Sequence, residues 1–220
     1  MKDITSQNIE TFVSLIEKAE RIAIVGHMKP DGDALGSCMG VYHCLGLYGK
    51  EERKVIFPHR TQPQLNFLID KDNRKDILIH EDKPSAAENA IKEADLIICL
   101  DFNSFHRADK LEGVLAGSAA SKILIDHHLN PDREAFDLTF SETEISSASE
   151  LAYQILMLVP AIGGDAAKLP EKAALALMTG TPMSSIIFVT YFSSSTSFIS
   201  KISIIKIPLS MCVLYDFDML

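Results

Sequence analysis

A histidine followed four and six residues later by aspartates, His27, Asp31 and Asp33, stands in the stretch HMKPDGD. Pro-Asp-Gly-Asp cannot continue a regular helix or strand, and as a turn it can aim both carboxylates inward. Asp101 closes the apolar run DLIICL, and the cluster Asp126, His127 and His128 closes the run SKILI. Imidazole mixed with carboxylate suits Mn²⁺, Fe²⁺, Co²⁺ or Zn²⁺, whereas Mg²⁺ usually takes oxygen ligands. Two such ions about 4 Å apart lower the pKa of a water and offset the charge that builds on a phosphoryl group under attack, which is the chemistry of phosphoester hydrolysis. Arg107, six residues after Asp101, is a weaker candidate for gripping a phosphate with its fork of donors. Each feature alone has an ordinary alternative: a surface histidine or arginine, a turn, a helix cap at Asp101, a polar loop at 126–128. Their joint occurrence is what points to a metal site.

The elements that must position them read as alternating strands and helices. Ile9, Phe12, Val13, Leu15 and Ile16 recur at helical spacing with Ser6 as N-cap, so residues 9–19 form an amphipathic helix. RIAIVG (21–26) is a short buried strand, and ALGSCMGVYHCLGLYG (34–49) a helix whose small N-terminal residues let its backbone approach a ligand. Residues 55–57, 76–79, 95–100 and 121–125 are further strands, and 84–94, about 108–116 and 146–159 further helices, the last N-capped near Ser146. Such alternation predicts an α/β fold with a parallel sheet covered on both faces. Ligands of such sheets collect beyond the carboxyl ends of the strands. Three strand ends deliver His27 with Asp31 and Asp33, then Asp101, then Asp126 with His127 and His128, so all three clusters land on one edge.

Composition bounds the partners. The 220 residues are 47% hydrophobic and 23% charged, the profile of a globular protein with one substantial core. A net charge of −9 argues against a basic surface that grips long nucleic acid, while a short anionic substrate held by metals is allowed. Cys38, Cys44, Cys99 and Cys212 show no CxxC spacing and read as free thiols of a reducing cytoplasm. The polar N-terminus MKDITSQNIETF lacks the apolar core of a secretion signal. His43, His59, His80 and His106 lack carboxylate neighbours in the right places along the chain and read as structural or surface residues.

The segments VGHMKPDGDALGS, ICLDFNSFHRAD and ILIDHH resemble the first three motifs of the DHH phosphoesterase superfamily. The wording around the Pro-Asp-Gly-Asp turn is most similar to its oligoribonuclease and 3′-phosphoadenosine 5′-phosphate phosphatase branch. The resemblance covers roughly residues 9–180. It implies that His27 and Asp31 hold one metal, Asp33 and His127 another, and that Asp101 bridges them. It further implies that Asp126 orients the histidines, that His128 touches the substrate phosphate, and that two Mn²⁺ ions are the cofactor. The implied substrate is short RNA or a nucleotide phosphate. A manganese inorganic pyrophosphatase or a cyclic-dinucleotide phosphodiesterase shares the motifs, and a non-catalytic metal-binding remnant is the alternative outside enzymology.

The family pattern continues with a Thr-Asp-Thr segment, whose aspartate completes the second metal site, and with a substrate domain carrying Gly-Gly-His. This sequence shows neither. After Gly180 serine, isoleucine and phenylalanine dominate, no glycine follows, and the first acidic residue is Asp216. The expected organisation is therefore a metal-binding phosphoesterase domain over 1–180, a missing substrate domain, and an aberrant tail over 181–220 with no domain assigned. Our hypothesis for the tail is a shifted reading frame or a truncated gene, motivated by that abrupt change within a family motif. An intact frame with no Asp-Thr or Gly-Gly-His coding sequence downstream would sink it. Pro182, Lys201, Lys206 and Pro208 interrupt the tail's apolar runs well short of the ~20 residues a membrane span needs. Without the missing carboxylate and domain, weak or absent turnover is expected.

Overall fold

A computed structural model of the chain describes residues 2–181 and the backbone of two strands, Ile187–Thr190 and Ile202–Ile205. Two compact units divide at Thr181 and Pro182. In the first, six strands form one parallel sheet: β1 (Ile22–Val25), β2 (Arg53–Phe57), β3 (Ile77–Ile79), β4 (Leu96–Leu100), β5 (Ser121–Asp126) and β6 (Leu138–Ser141), in the order β3-β2-β1-β4-β5-β6. In the second, the pair β7 (Ile187–Thr190) and β8 (Ile202–Ile205) is antiparallel. The rest of the expected aberrant tail, including the family's Thr-Asp-Thr position, lies outside the described residues.

The strands are buried on both faces because their side chains alternate into two cores. Ile22, Ile24, Ile98, Leu100, Ile123 and Ile125 enter one core, together with α1 (Ser6–Lys18), α2 (Gly32–Leu45), α5 (Ala148–Leu158) and α6 (Glu171–Gly180). Ala23, Val25, Ile97, Cys99 and Leu124 enter the other, with α3 (Pro84–Lys92) and α4 (Glu112–Gly117). The parallel α/β sheet flanked by helices follows from that pattern. Strand order reverses between β1 and β4, and at such a reversal neighbouring loops diverge to leave a crevice at the carboxyl edge.

Local differences from the expected elements have physical reasons. Thr5, not Ser6, caps α1 by accepting from the Asn8 N–H, and Ser147 caps α5 by accepting from the Glu150 N–H. The 108–116 helix is shorter: 3₁₀ turns run from Phe105 to Leu111 and kink at Asp109, and α4 begins only at Glu112. The last connection of the sheet leads to β6, an element the sequence pattern does not signal because LTFS is brief and lies at the sheet's edge. The small residues of α2 serve a different purpose from the one expected. A Cβ on Gly36 would lie 2.5 Å from the Ala176 carbonyl, and one on Gly40 would lie 2.5 Å from the Leu177 side chain. They admit α6, not a ligand. Cys38, Cys44 and Cys99 are buried free thiols, and no helix among the described residues is long and apolar enough to cross a membrane.

Candidate metal centre

The three strand ends converge. β1 runs into Gly26 and His27, and the turn that follows ends on Asp31, which caps α2 by accepting from the backbone N–H groups of Asp33 and Ala34 at 2.9 and 3.1 Å. Asp is favoured there because its carboxylate satisfies orphan amides at a positive helix end. The His27 ring is buried, and its Nδ1–H donates to the Met28 carbonyl at 2.7 Å. That bond leaves the Nε2 lone pair pointing at Asp101 Oδ2, 3.3 Å away, and Asp31 Oδ1, 3.9 Å away.

Asp101 sits directly after β4 with φ +64, a left-handed backbone that a non-glycine residue seldom adopts. Its amide donates to the Ile125 carbonyl at 3.1 Å, which ties the bend to β5. From this position its carboxylate, almost fully buried, faces His27 on one side and His127 Nε2, at 3.5 Å, on the other. His127 Nε2 also lies 3.6 Å from Asp33 Oδ2. Asp33 is gripped from behind: its two carboxylate oxygens accept from the Ala148 and Ser149 amides at 2.8 and 2.7 Å, the first turn of α5. Asp126 is fully buried at the end of β5 and accepts from His128 Nδ1 at 2.7 Å and from the His128 amide at 3.2 Å.

Distances of 3.3 to 3.9 Å between imidazole nitrogens and carboxylate oxygens are longer than a good N–H···O bond. At that separation the imidazoles and carboxylates still attract one another weakly, while their donor atoms gather around common points. Electrostatics agree. Burial and the neighbouring Asp101 charge push the Asp33 carboxyl up to about 7, against the pull of the Ser149 and Ala148 amides. Burial acts on Asp101 in the same sense, yet the hydrogen bonds and charges of His127 and His27 hold it below the usual carboxylate range. The His127 imidazole rises to about 9, chiefly through its hydrogen bond with Asp101. Burial pushes the Asp126 carboxyl up, opposed by His128. Burial would lower His27, but Asp101 and the Met28 carbonyl raise it on balance. A buried carboxylate, Asp101, beside the half-buried Asp33, with two imidazoles against them, attracts a cation, and the donor set fits one or more divalent ions.

Two sets of ligand atoms lie within 4.8 Å of one another: His27, Asp31 and Asp101, and Asp101, His127 and His128. The second set includes His128 where the expected ligand is Asp33. His128 Nδ1 is already bonded to Asp126, whereas each Asp33 oxygen accepts one amide and keeps a further lone pair. The His128 side chain is 40% exposed and its ring lies 4.7 Å from that of His127, as suits a group that reaches toward solvent. Arg107 is half-buried. Its carbonyl accepts from the Met28 amide at 2.8 Å, while its guanidinium has no hydrogen-bond or ion-pair partner among the described residues.

Sequence reading missed the supports: the α5 amides behind Asp33, the Met28 and Ile145 carbonyls beside His27 and His127, and Ser37, whose hydroxyl donates to the Asp33 carbonyl at 2.7 Å. The Ser-Ser-Ala-Ser-Glu cap pattern was the available signal for the first, but nothing in it says which carboxylate it meets. Three of the other histidines do meet a single carboxylate in the fold, His59 with Asp109 at 3.1 Å, His80 with Glu88 at 3.3 Å and His106 with Glu112 at 3.6 Å, but among the described residues none joins a group of three metal-type ligands.

Comparison with known proteins gives the same picture. The model of the DHH family, N-terminal domain, matches residues 21–181. A cyclic-di-AMP phosphodiesterase, GdpP, of Geobacillus thermodenitrificans is 31% identical over 170 residues, which are 76% of this chain and 25% of that protein. A probable bifunctional oligoribonuclease and PAP phosphatase, NrnA, of Streptococcus mutans is 30% identical over 217 residues, 95% of this chain and 57% of that protein. A crystal structure of an exopolyphosphatase-related protein from Bacteroides fragilis matches with a TM-score of 0.73 and 36% identity, over 82% of this chain and 50% of that one. The chain thus spans between a quarter and about three-fifths of the length of these relatives.

Proposed function

Because the chain belongs to the DHH family, we propose that residues 1–180 are the metal-binding domain of a two-metal phosphoesterase that hydrolyses short oligoribonucleotides and 3′-phosphoadenosine 5′-phosphate. The observation that carries this reading is the convergence of His27, Asp31, Asp33 and His127 on one buried carboxylate, Asp101. In it His27 and Asp31 would hold one ion, Asp33 and His127 the other, with Asp101 available to both. Mixed nitrogen and oxygen donors make Mn²⁺ the expected ion. Bound there, the pair of ions supplies an activated water and neutralises the phosphoryl oxygens.

The chain's own residues do the rest. Asp126 fixes the proton of His128 on Nδ1 and thereby turns Nε2 outward as the atom that meets the substrate phosphate. Arg107, with no carboxylate to neutralise it among the described residues, is the second phosphate contact. The short anionic substrate fits the chain's net charge of −9 better than long nucleic acid does. The name of the Streptococcus mutans relative and the alignment over 95% of the chain support the substrate class. The name of the Geobacillus relative supports a second reading, a cyclic-dinucleotide phosphodiesterase.

The test is release of mononucleotide from a short oligoribonucleotide by the purified chain with Mn²⁺, beside an Asp101→Ala blank, with phosphoadenosine phosphate and cyclic-di-AMP run in parallel. Turnover of the first two that the blank loses supports the leading reading. Turnover confined to cyclic-di-AMP moves the assignment to the second. A folded chain that binds Mn²⁺ without turnover is a metal-binding domain that lacks what completes its activity.

A further inference from the structure

Three loops leave the carboxyl edge beside the site and meet at a residue that the metal assignment does not use. His59 lies two residues beyond β2. Its Nδ1 accepts from the Lys29 amide at 3.2 Å, and its Nε2 lies 3.1 Å from Asp109 Oδ2. An imidazole that accepts at Nδ1 carries its proton at Nε2, so the ring donates to Asp109 and joins the loop after β1 to the loop after β4.

Both joined residues are strained. Lys29 has φ +54, and Asp109 has φ +50 with ψ −123, outside even the small left-handed basin, yet neither is a glycine. Backbone of this kind persists where its surroundings over-determine it. The surroundings here are two tacks on consecutive residues: the Met28 amide on the Arg107 carbonyl and the Lys29 amide on His59. Both fall between His27 and Asp31, whose ligand atoms must face each other across that turn.

We propose that His59, held by Asp109, is a positioning residue for the His27 and Asp31 half of the centre. It fixes the turn so that both ligands converge on Asp101, and in the same act it fixes the segment that carries Arg107. The inference rests on the metal reading above. An ordinary surface ion pair predicts something different. The His59 and Asp109 side chains are 28% and 39% exposed, so the pair contributes little to global stability, whereas loss of a group that orients metal ligands typically lowers metal affinity about 10–100-fold.

The experiment is a Mn²⁺ titration of the full chain, followed by electron paramagnetic resonance and calorimetry, with melting temperatures measured on the metal-free samples. Wild type is expected to bind one ion at the His27 and Asp31 half and a second, more weakly, at the Asp33 and His127 half, which lacks the family's further aspartate. His59→Ala should weaken one of them by about 10–100-fold, the same ion that Asp31→Asn loses, with the other ion and the metal-free melting temperature nearly unchanged. Asp109→Ala should behave alike, the double variant no worse than either single one, and Asp109→Asn, which keeps an acceptor for the ring N–H, should restore most of the affinity. Native affinity for both ions in His59→Ala and Asp109→Ala, or equal weakening of both ions, overturns the proposal. Absence of Mn²⁺ binding by folded wild type overturns the metal reading and this inference with it, and is distinguishable because the variants then do not matter. Should His59→Ala fail to fold, the Asp109 pair carries the same test.

Discussion

The two halves of the centre are supported in opposite ways. Asp33 is held by a helix: the first amides of α5 hydrogen-bond both of its oxygens, and that helix is itself capped by Ser147 and packed in the core. His27 and Asp31 are held by loops: a turn with a left-handed Lys29, a carbonyl behind the ring, and tacks to two other loops. A helix terminus brings fixed dipoles and a geometry that many core contacts enforce. A loop depends on a few hydrogen bonds, each individually replaceable. The difference teaches that similar side chains need not be held with equal rigidity, and on the proposed metal reading it makes the His27 half the one that a single surface substitution should disturb.

Substitutions that act on both halves, on one, or on neither sharpen this contrast. The largest effect is expected from Asp101→Ala, the residue common to both halves. It should remove both ions, a loss greater than the ~100-fold typical of a supporting group, read by Mn²⁺ calorimetry, and retention of either ion would show that the halves are independent. Gly180→Ala should strike the Asp33 half from behind. Its Cβ would fall 2.0 Å from the Ser149 hydroxyl and 2.9 Å from the Asp33 Cα, and overpacking of that kind costs about 1–3 kcal/mol. Thermal unfolding should show the loss and the titration a weaker second ion. Ser147→Ala removes only the cap of α5, for about 1 kcal/mol, with a smaller shift of the same ion.

The smallest effect serves as a control that touches neither half. His43, on α2, is driven down to about 4 by burial and by the charges of Lys172 and Arg53. A histidine lowered in the fold stabilises it above the unfolded pKa near 6.5, and that stability is lost as pH falls toward 4. Compared with a His43→Phe variant, the wild type should therefore lose melting temperature by a few degrees between pH 6.5 and 4. A constant difference across that range would show that His43 titrates normally.

How far the sequence discloses this arrangement differs between the scaffold and the supports. The sheet was legible because DLIICL and SKILI are apolar on both faces, which happens when helices cover both sides, and because each ends on an acidic residue. The convergence of the aspartate and histidine clusters was legible for the same reason. The Pro-Asp-Gly-Asp turn and the Asp-His-His run are local, and their convergence follows from strand direction alone. Supports that join distant segments were not legible. Nothing near Pro58 signals that His59 meets Asp109, since the link exists only once β1, β2 and β4 are aligned. The small residues at the start of α2 raise a related difficulty: a small residue on a helix, such as Gly36, reports a close approach without saying what approaches.

The order of the strands also governs when the site can come into being. Its groups are drawn from residue 27 to residue 149, and every pairing that brings them together is a parallel one that joins segments distant along the chain. Pairings of that kind form late and slowly during folding. On the proposed reading, a divalent ion would therefore have nothing to hold until the sheet is nearly complete, and would act as a lock on the finished fold and not as a seed for it. An ion present at 100 times its dissociation constant adds about 2.7 kcal/mol to the native state alone. The same ion should slow unfolding and protect the chain from proteases while leaving the rate of folding almost untouched.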